Sequence, residues 1–142
     1  NHISGPSRTG EGLFRSIKSA MDEAKINPNQ IDYISAHGTA TPFNDEMEGI
    51  ALNRMALENV PVNSLKGFYG HTLGASGLLE TVISIESALQ NKLYFSMGFD
   101  ETNLSQPIAI IKKNKNTVIN YILKTASGFG GCNTAVIFEK VK

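Results

Sequence analysis

A chain of 142 residues with 13 basic and 13 acidic side chains has no formal net charge, which removes the electrostatic argument for nucleic acid or an anionic membrane as partner. Its 41% hydrophobic and 18% charged content is that of a globular domain, and no apolar run approaches the roughly 18 residues of a membrane span. Cys132 is the only cysteine, so an internal disulfide is excluded and a reducing, cytoplasmic setting is expected.

Residues 1–8, with Gly5 and Pro6, read as a loop. A helix is predicted from Glu11 to Ala24, where Leu13, Ile17, Met21 and Ala24 recur at spacings of four and three. Asn27, Pro28 and Asn29 end it. Residues 31–36 read as a short buried strand that stops at His37-Gly38. A second helix is predicted from Asp45 to Leu57, with Asn44 as its N-cap and Asp45, Glu46 and Glu48 near the positive end of its dipole. Val60 to Val62 suggests a short strand. The glycine-rich stretch from Lys66 to Gly77 leads into a third helix, Leu78 to Gln90. There Leu78, Leu79, Val82, Ile83, Ile85 and Leu89 cover more than one face, which predicts burial on most sides. Residues 94–107 look irregular, and Lys112, Lys113 and Lys115 read as a solvated turn. Val118 to Lys124 and Thr134 to Phe138 read as a closing pair of strands around a glycine-rich turn. The order argues an α/β fold, one domain over residues 1–142. The chain begins Asn1-His2-Ile3 without a methionine, which predicts a piece of a longer protein.

Three histidines, His2, His37 and His71, sit beside glycine or at the edge of an element. His37 ends a strand, at the carboxyl edge where α/β folds bind ligands. His71 precedes a helix among glycines that let backbone approach a ligand closely. Lys66, five residues before His71, is placed to orient that ring and bias its proton.

His37-Gly38-Thr39-x-Thr41-Pro42 with Asp45 and Glu48 resembles the first histidine motif of the β-ketoacyl-[acyl-carrier-protein] synthases. Lys66-x-x-x-Gly70-His71-x-x-Gly74-Ala75-x-Gly77 with Glu80 resembles their lysine and second histidine motif. Gly128-Phe129-Gly130-Gly131-Cys132-Asn133 resembles their closing glycine-rich loop, and His2-Ile3-Ser4-Gly5-Pro6 their mobile loop. The motifs stand in the family's order and span nearly the whole chain. The resemblance implies a thiolase-like α/β fold, C-terminal half: a mixed sheet with packed helices in α-β-α layers.

It also implies a decarboxylative Claisen condensation between an acyl thioester and malonyl-acyl carrier protein. His37 and His71 match the two donors that stabilise the enolate, and Lys66 the residue that orders them. Glu48 is the expected acidic neighbour of Lys66. Thr39 and Thr41 match contacts to the phosphopantetheine arm. Phe129 matches the gate of the acyl pocket, and His2 belongs to the loop that opens with it. No cofactor or metal is implied beyond the phosphopantetheine arm supplied by acyl carrier protein. The implied partners are that carrier, the N-terminal half of the synthase and a second subunit in a homo- or heterodimer, with no nucleic acid and no membrane.

The chain departs from the family in three ways. The cysteine nucleophile belongs to the N-terminal half, and Cys132 does not match it; Cys132 reads as a small buried hydrophobe. Lys124-Thr125-Ala126-Ser127 stands where the family usually has Ser-Asn-Ser-Phe, and Ser35 where it often has asparagine. Lys124 thereby replaces an oxygen donor at a position that, with Glu80, surrounds a monovalent cation in some members. Its ammonium is expected in the cation's place, paired with Glu80 and Glu48. The Ser127 exchange points to a specialised polyketide or polyene substrate. The alternatives are a non-condensing partner subunit of chain-length-factor type, a fragment that only binds or dimerises, and a thiolase.

Overall fold

The computed structural model describes residues 5–101 and 103–141. In chain order the elements are α1 (Glu11–Ala24), β1 (Tyr33–Ser35), α2 (Pro42–Arg54), β2 (Val62–Asn63), α3 (Lys66–Tyr69), α4 (Ser76–Leu89), β3 (Lys92–Leu93), β4 (Lys115–Asn116), β5 (Tyr121–Ser127) and β6 (Asn133–Glu139). Four strands form one mixed sheet in the order β2-β1-β5-β6. β1 runs parallel to both β2 and β5, and β6 returns antiparallel to β5. β3 and β4 form a separate antiparallel pair, which the sequence reading did not anticipate.

Alternate residues of the strands face opposite sides of the sheet, and each side has its own core. Ile34 and Leu123 pack with Leu13, Ile17 and Met21 of α1 and with Met47, Ala51 and Leu52 of α2. Tyr33 and Ile122 pack with Ala88 at the end of α4 and with Leu93, Ile111 and Ile119. Leu13, Ile17, Ile34 and Leu123 are wholly buried, each worth about 1.5–3 kcal/mol of transfer free energy. Ala24, expected on the inner stripe of α1, is exposed.

Two expectations need correction. α2 starts at Pro42, three residues early, because proline suits the first helical turn, where its missing N–H has no intrahelical role. Asn44 therefore lies inside the helix and is not its N-cap. The third predicted helix, α4, is not buried on most sides. Its buried residues are Ser76, Glu80, Ser84, Ser87 and Ala88, while Leu78 (72% exposed), Val82 (56%) and Leu89 (60%) face outward. The inner face is polar because every group on it finds a partner. Ser84 Oγ donates to the Glu80 carbonyl at 2.7 Å, Ser87 Oγ donates to the Lys92 carbonyl, and Glu80 meets two ammonium groups. The outer apolar face has the character of an interaction surface.

Candidate active site

His37 follows the carboxyl end of β1, and the backbone there is pinned by α2. Glu48 is buried and accepts the N–H groups of His37 (2.8 Å) and Gly38 (2.7 Å), one on each carboxylate oxygen. Asn44 Nδ2 (2.9 Å) and Thr125 Oγ1 (3.2 Å) also donate to it. Burial pushes the Glu48 carboxyl up, and the two backbone donors pull against that. Glu48 therefore holds the histidine's peptide. It forms no ion pair within 4 Å with either lysine, which corrects its expected place beside Lys66.

The partner of Lys66 is Glu80, reached from α4. Lys66 Nζ lies 2.5 Å from Glu80 Oε1. It also donates to the His37 carbonyl and stands 3.3 Å from His37 Nδ1. Lys124 Nζ lies 2.5 Å from Glu80 Oε2 and donates to the carbonyls of Thr125 (2.7 Å), Ser35 (3.2 Å) and Ala36 (3.3 Å). The expected pairing of Lys124 with Glu80 is present; that with Glu48 is not. Burial lowers Lys124, and the Glu80 carboxylate beside it counters the loss.

The ring of His37 is buried, 6% exposed. Burial first, then the Lys66 ammonium, lowers its pKa from 6.5 to about 4, so the imidazole is neutral at physiological pH. A neutral ring beside an ammonium accepts through Nδ1, which leaves the proton on Nε2. Lys66, expected to orient His71, stands against His37 instead, and His71 is fixed in the same tautomer by different groups. Its Nδ1 accepts the Leu73 N–H at 3.0 Å and lies 3.2 Å from Ser76 Oγ. An amide N–H can only donate, so His71 too carries its proton on Nε2. The two rings meet edge to face, centroids 5.2 Å apart at 79°.

Beside them lies a cavity of about 710 Å3, with Thr39, Lys66, His71, Met97 and Phe99 among its walls. Thr39 meets Thr41 hydroxyl to hydroxyl at 2.7 Å, and the Thr39 N–H reaches Asp45 Oδ1 at 3.2 Å. Phe129 lies in a 3-10 turn that Gly130 and Gly131 build with left-handed φ of 78° and 79°, and its ring is 83% exposed. Cys132 is exposed as well, so it is not the buried hydrophobe expected. His2 lies outside the described residues. The sequence reading missed Asn44, Ser76 and Thr125 as supports of the two histidines and Glu48. Short hydroxyl and amide side chains carry no motif of their own, and only the nearness of Ser76 to His71 hinted at one.

Residues 1–97 match the family model described as Beta-ketoacyl synthase, C-terminal domain. The 3-oxoacyl-[acyl-carrier-protein] synthase 2 of Staphylococcus aureus is 33% identical over 143 residues, covering 98% of this chain and 34% of that protein. The crystal structure of a β-ketoacyl synthase from Burkholderia phymatum superposes with a TM-score of 0.92 at 33% identity, over 99% of this chain and 35% of the other. A ketosynthase from Xenorhabdus doucetiae, solved in complex with its chain length factor, gives 0.90 at 31% identity, over 99% and 36%. The chain thus spans about a third of the length of the proteins it matches. With mixed sheet, flanking helices and both histidine motifs in place, the chain belongs to the β-ketoacyl synthase family, in the part that forms its C-terminal domain.

Proposed function

We propose that this chain supplies the decarboxylating half of a 3-oxoacyl-[acyl-carrier-protein] synthase, in fatty-acid or related polyketide or polyene synthesis. The observation that carries the reading is the pair of occupied Nδ1 atoms. With Lys66 on one ring and the Leu73 N–H on the other, both histidines are left with Nε2–H as their free donor.

The malonyl thioester loses its carboxylate as carbon dioxide. The electron pair of the breaking C–C bond moves into an enolate whose charge rests on the thioester oxygen. The two Nε2–H groups stabilise that oxygen without any proton transfer, and fixed donors at a site of developing charge are the efficient way to do so. The enolate carbon then attacks the acyl thioester on the cysteine of the nucleophile-bearing N-terminal half, and that thiolate leaves. Thr39 and Thr41 hold the phosphopantetheine arm of the acyl carrier protein, which is the donor's own group. Phe129 gates the acyl pocket together with the loop that contains His2. The assembly is a cytoplasmic homo- or heterodimer.

Carbon dioxide release from malonyl-carrier protein by the whole native protein tests this. His37→Ala and His71→Ala are each expected to slow it about 100- to 1,000-fold, the usual cost of one such donor. Release unchanged in both variants refutes the reading and favours a non-condensing partner subunit. The 142-residue chain alone is expected to form no condensation product.

A further inference from the structure

We infer that Ser64 is a positioning residue that fixes His37 against Lys66; this deepens the decarboxylase reading and rests on it. The dipeptide His37-Gly38 has four backbone polar groups, and each needs a partner once removed from water. Glu48 takes both N–H groups, and Lys66 Nζ donates to the His37 carbonyl. The fourth group, the Gly38 carbonyl, accepts Ser64 Oγ at 2.6 Å.

Ser64 stands two residues before Lys66, on the turn that leads from β2 into α3. The Lys66 N–H points back at Ser64 Oγ at 3.4 Å, and the Ser64 N–H donates to Ser96 Oγ at 3.2 Å. The two turns meet at close range. A Cβ on Gly38 would fall 2.5 Å from Ser64 Cβ, and Gly38 has φ +41°. Glycine is what lets the histidine turn approach the serine. One hydroxyl therefore ties the loop that bears His37 to the segment that bears Lys66. The spacing of those two backbones sets the 3.3 Å approach of Nζ to Nδ1, and that approach holds His37 in the tautomer the reaction needs.

The test is Ser64→Ala in the whole native protein. Its turnover number for carbon dioxide release is expected to fall about tenfold, the scale of one lost hydrogen bond, with the KM for malonyl-carrier protein unchanged. The imidazole 15N resonances of His37 report the same event without catalysis. In the wild type Nδ1 is unprotonated; in Ser64→Ala a second form with Nδ1–H is expected. Ser64→Thr, which keeps the hydroxyl, returns the resonances toward wild type. A folded Ser64→Ala protein with wild-type resonances and turnover overturns the inference. So does one that loses thermal stability at unchanged turnover, and so does a folded Ser64→Thr protein that behaves like the alanine variant. If the decarboxylase reading alone is wrong, His37→Ala leaves carbon dioxide release intact while the Ser64→Ala resonance change persists.

Discussion

Protonating His37 is the perturbation whose cost the structure defines best. The ring is 6% exposed, and its Nδ1 faces the Lys66 ammonium at 3.3 Å. A proton on Nδ1 would remove that acceptor and place two like charges together. Burial and Lys66 hold the pKa at about 4 against 6.5 for a free ring, which at 1.36 kcal/mol per decade is worth about 3 kcal/mol. Between those two values the unfolded chain takes up a proton and the folded one does not. Stability is therefore highest above pH 6.5, falls as the pH drops toward 4, and stops falling on this account below it. Urea unfolding of the whole native protein from pH 8 to 4, compared with His37→Gln, isolates the effect, since glutamine does not titrate. The Glu48 carboxyl, pushed up by burial, has the opposite slope: its contribution is fullest in acid and fades as the pH rises through its folded value. It is present in both proteins and cancels in the comparison. The wild type should lose up to about 3 kcal/mol more than the variant across the window. Equal losses in the two proteins, or a His37 ring that titrates near 6.5 by NMR, would refute the reasoning.

Other outcomes follow from the same geometry. Lys124→Met removes the cation from Glu80 Oε2 and three carbonyls; because Lys66 still neutralises Glu80, thermal unfolding should report a loss near the low end, about 3 kcal/mol, of the range for a broken buried pair. Gly67→Ala would put a Cβ 2.1 Å from the Met97 carbonyl oxygen, so the chain must shift there, at about 1–3 kcal/mol of stability and with slower carbon dioxide release. The 142-residue chain on its own should self-associate through the outward face of α4, and Leu78→Glu with Val82→Glu should reduce that in light scattering; a monodisperse wild-type monomer would count against it.

Much of this was legible in the residues, for physical reasons that differ by element. α1 was read to its exact bounds because its apolar stripe faces a single core and has one period. β1 and β5 were legible as apolar runs, but their ends were not, since strand ends are set by pairing and Ile34↔Val62 is a tertiary fact. α4 misled because Leu78, Val82 and Leu89 report a hydrophobic neighbour without saying on which side it lies. Hydropathy cannot see that Glu80, Ser84 and Ser87 are inside because lysines and backbone carbonyls await them there. Motif spacing singled out His37, Lys66 and His71, and the structure brings them together. The pairing of Lys124 with Glu80 was expected and is present, but the partner of Lys66 was not, because Glu48 and Glu80 are equally plausible until the helices that carry them are packed.

Lys124 belongs with the groups around His37 because it shares their carboxylate. Lys66 and Lys124 share the single carboxylate of Glu80, one oxygen each at 2.5 Å. Three successive carbonyls at the end of β1 complete their shells, Ser35 and Ala36 on Lys124 and His37 on Lys66. Glu48, buried beside them, accepts the amides of His37 and Gly38. Two ammonium groups shared by one carboxylate and a ring of carbonyls keep each buried charge partnered, the condition under which buried charge is tolerable. On the proposed decarboxylase reading, removing Lys124 takes a positive charge from behind the His37 imidazole, and in a poorly screened interior that loss would weaken the ring's support of a developing oxyanion. On that reading, a lysine in this position keeps the field behind His37 favourable to the developing oxyanion. Lys124→Met should therefore slow carbon dioxide release in protein that remains folded, and a folded variant with wild-type turnover would show that the lysine serves stability alone.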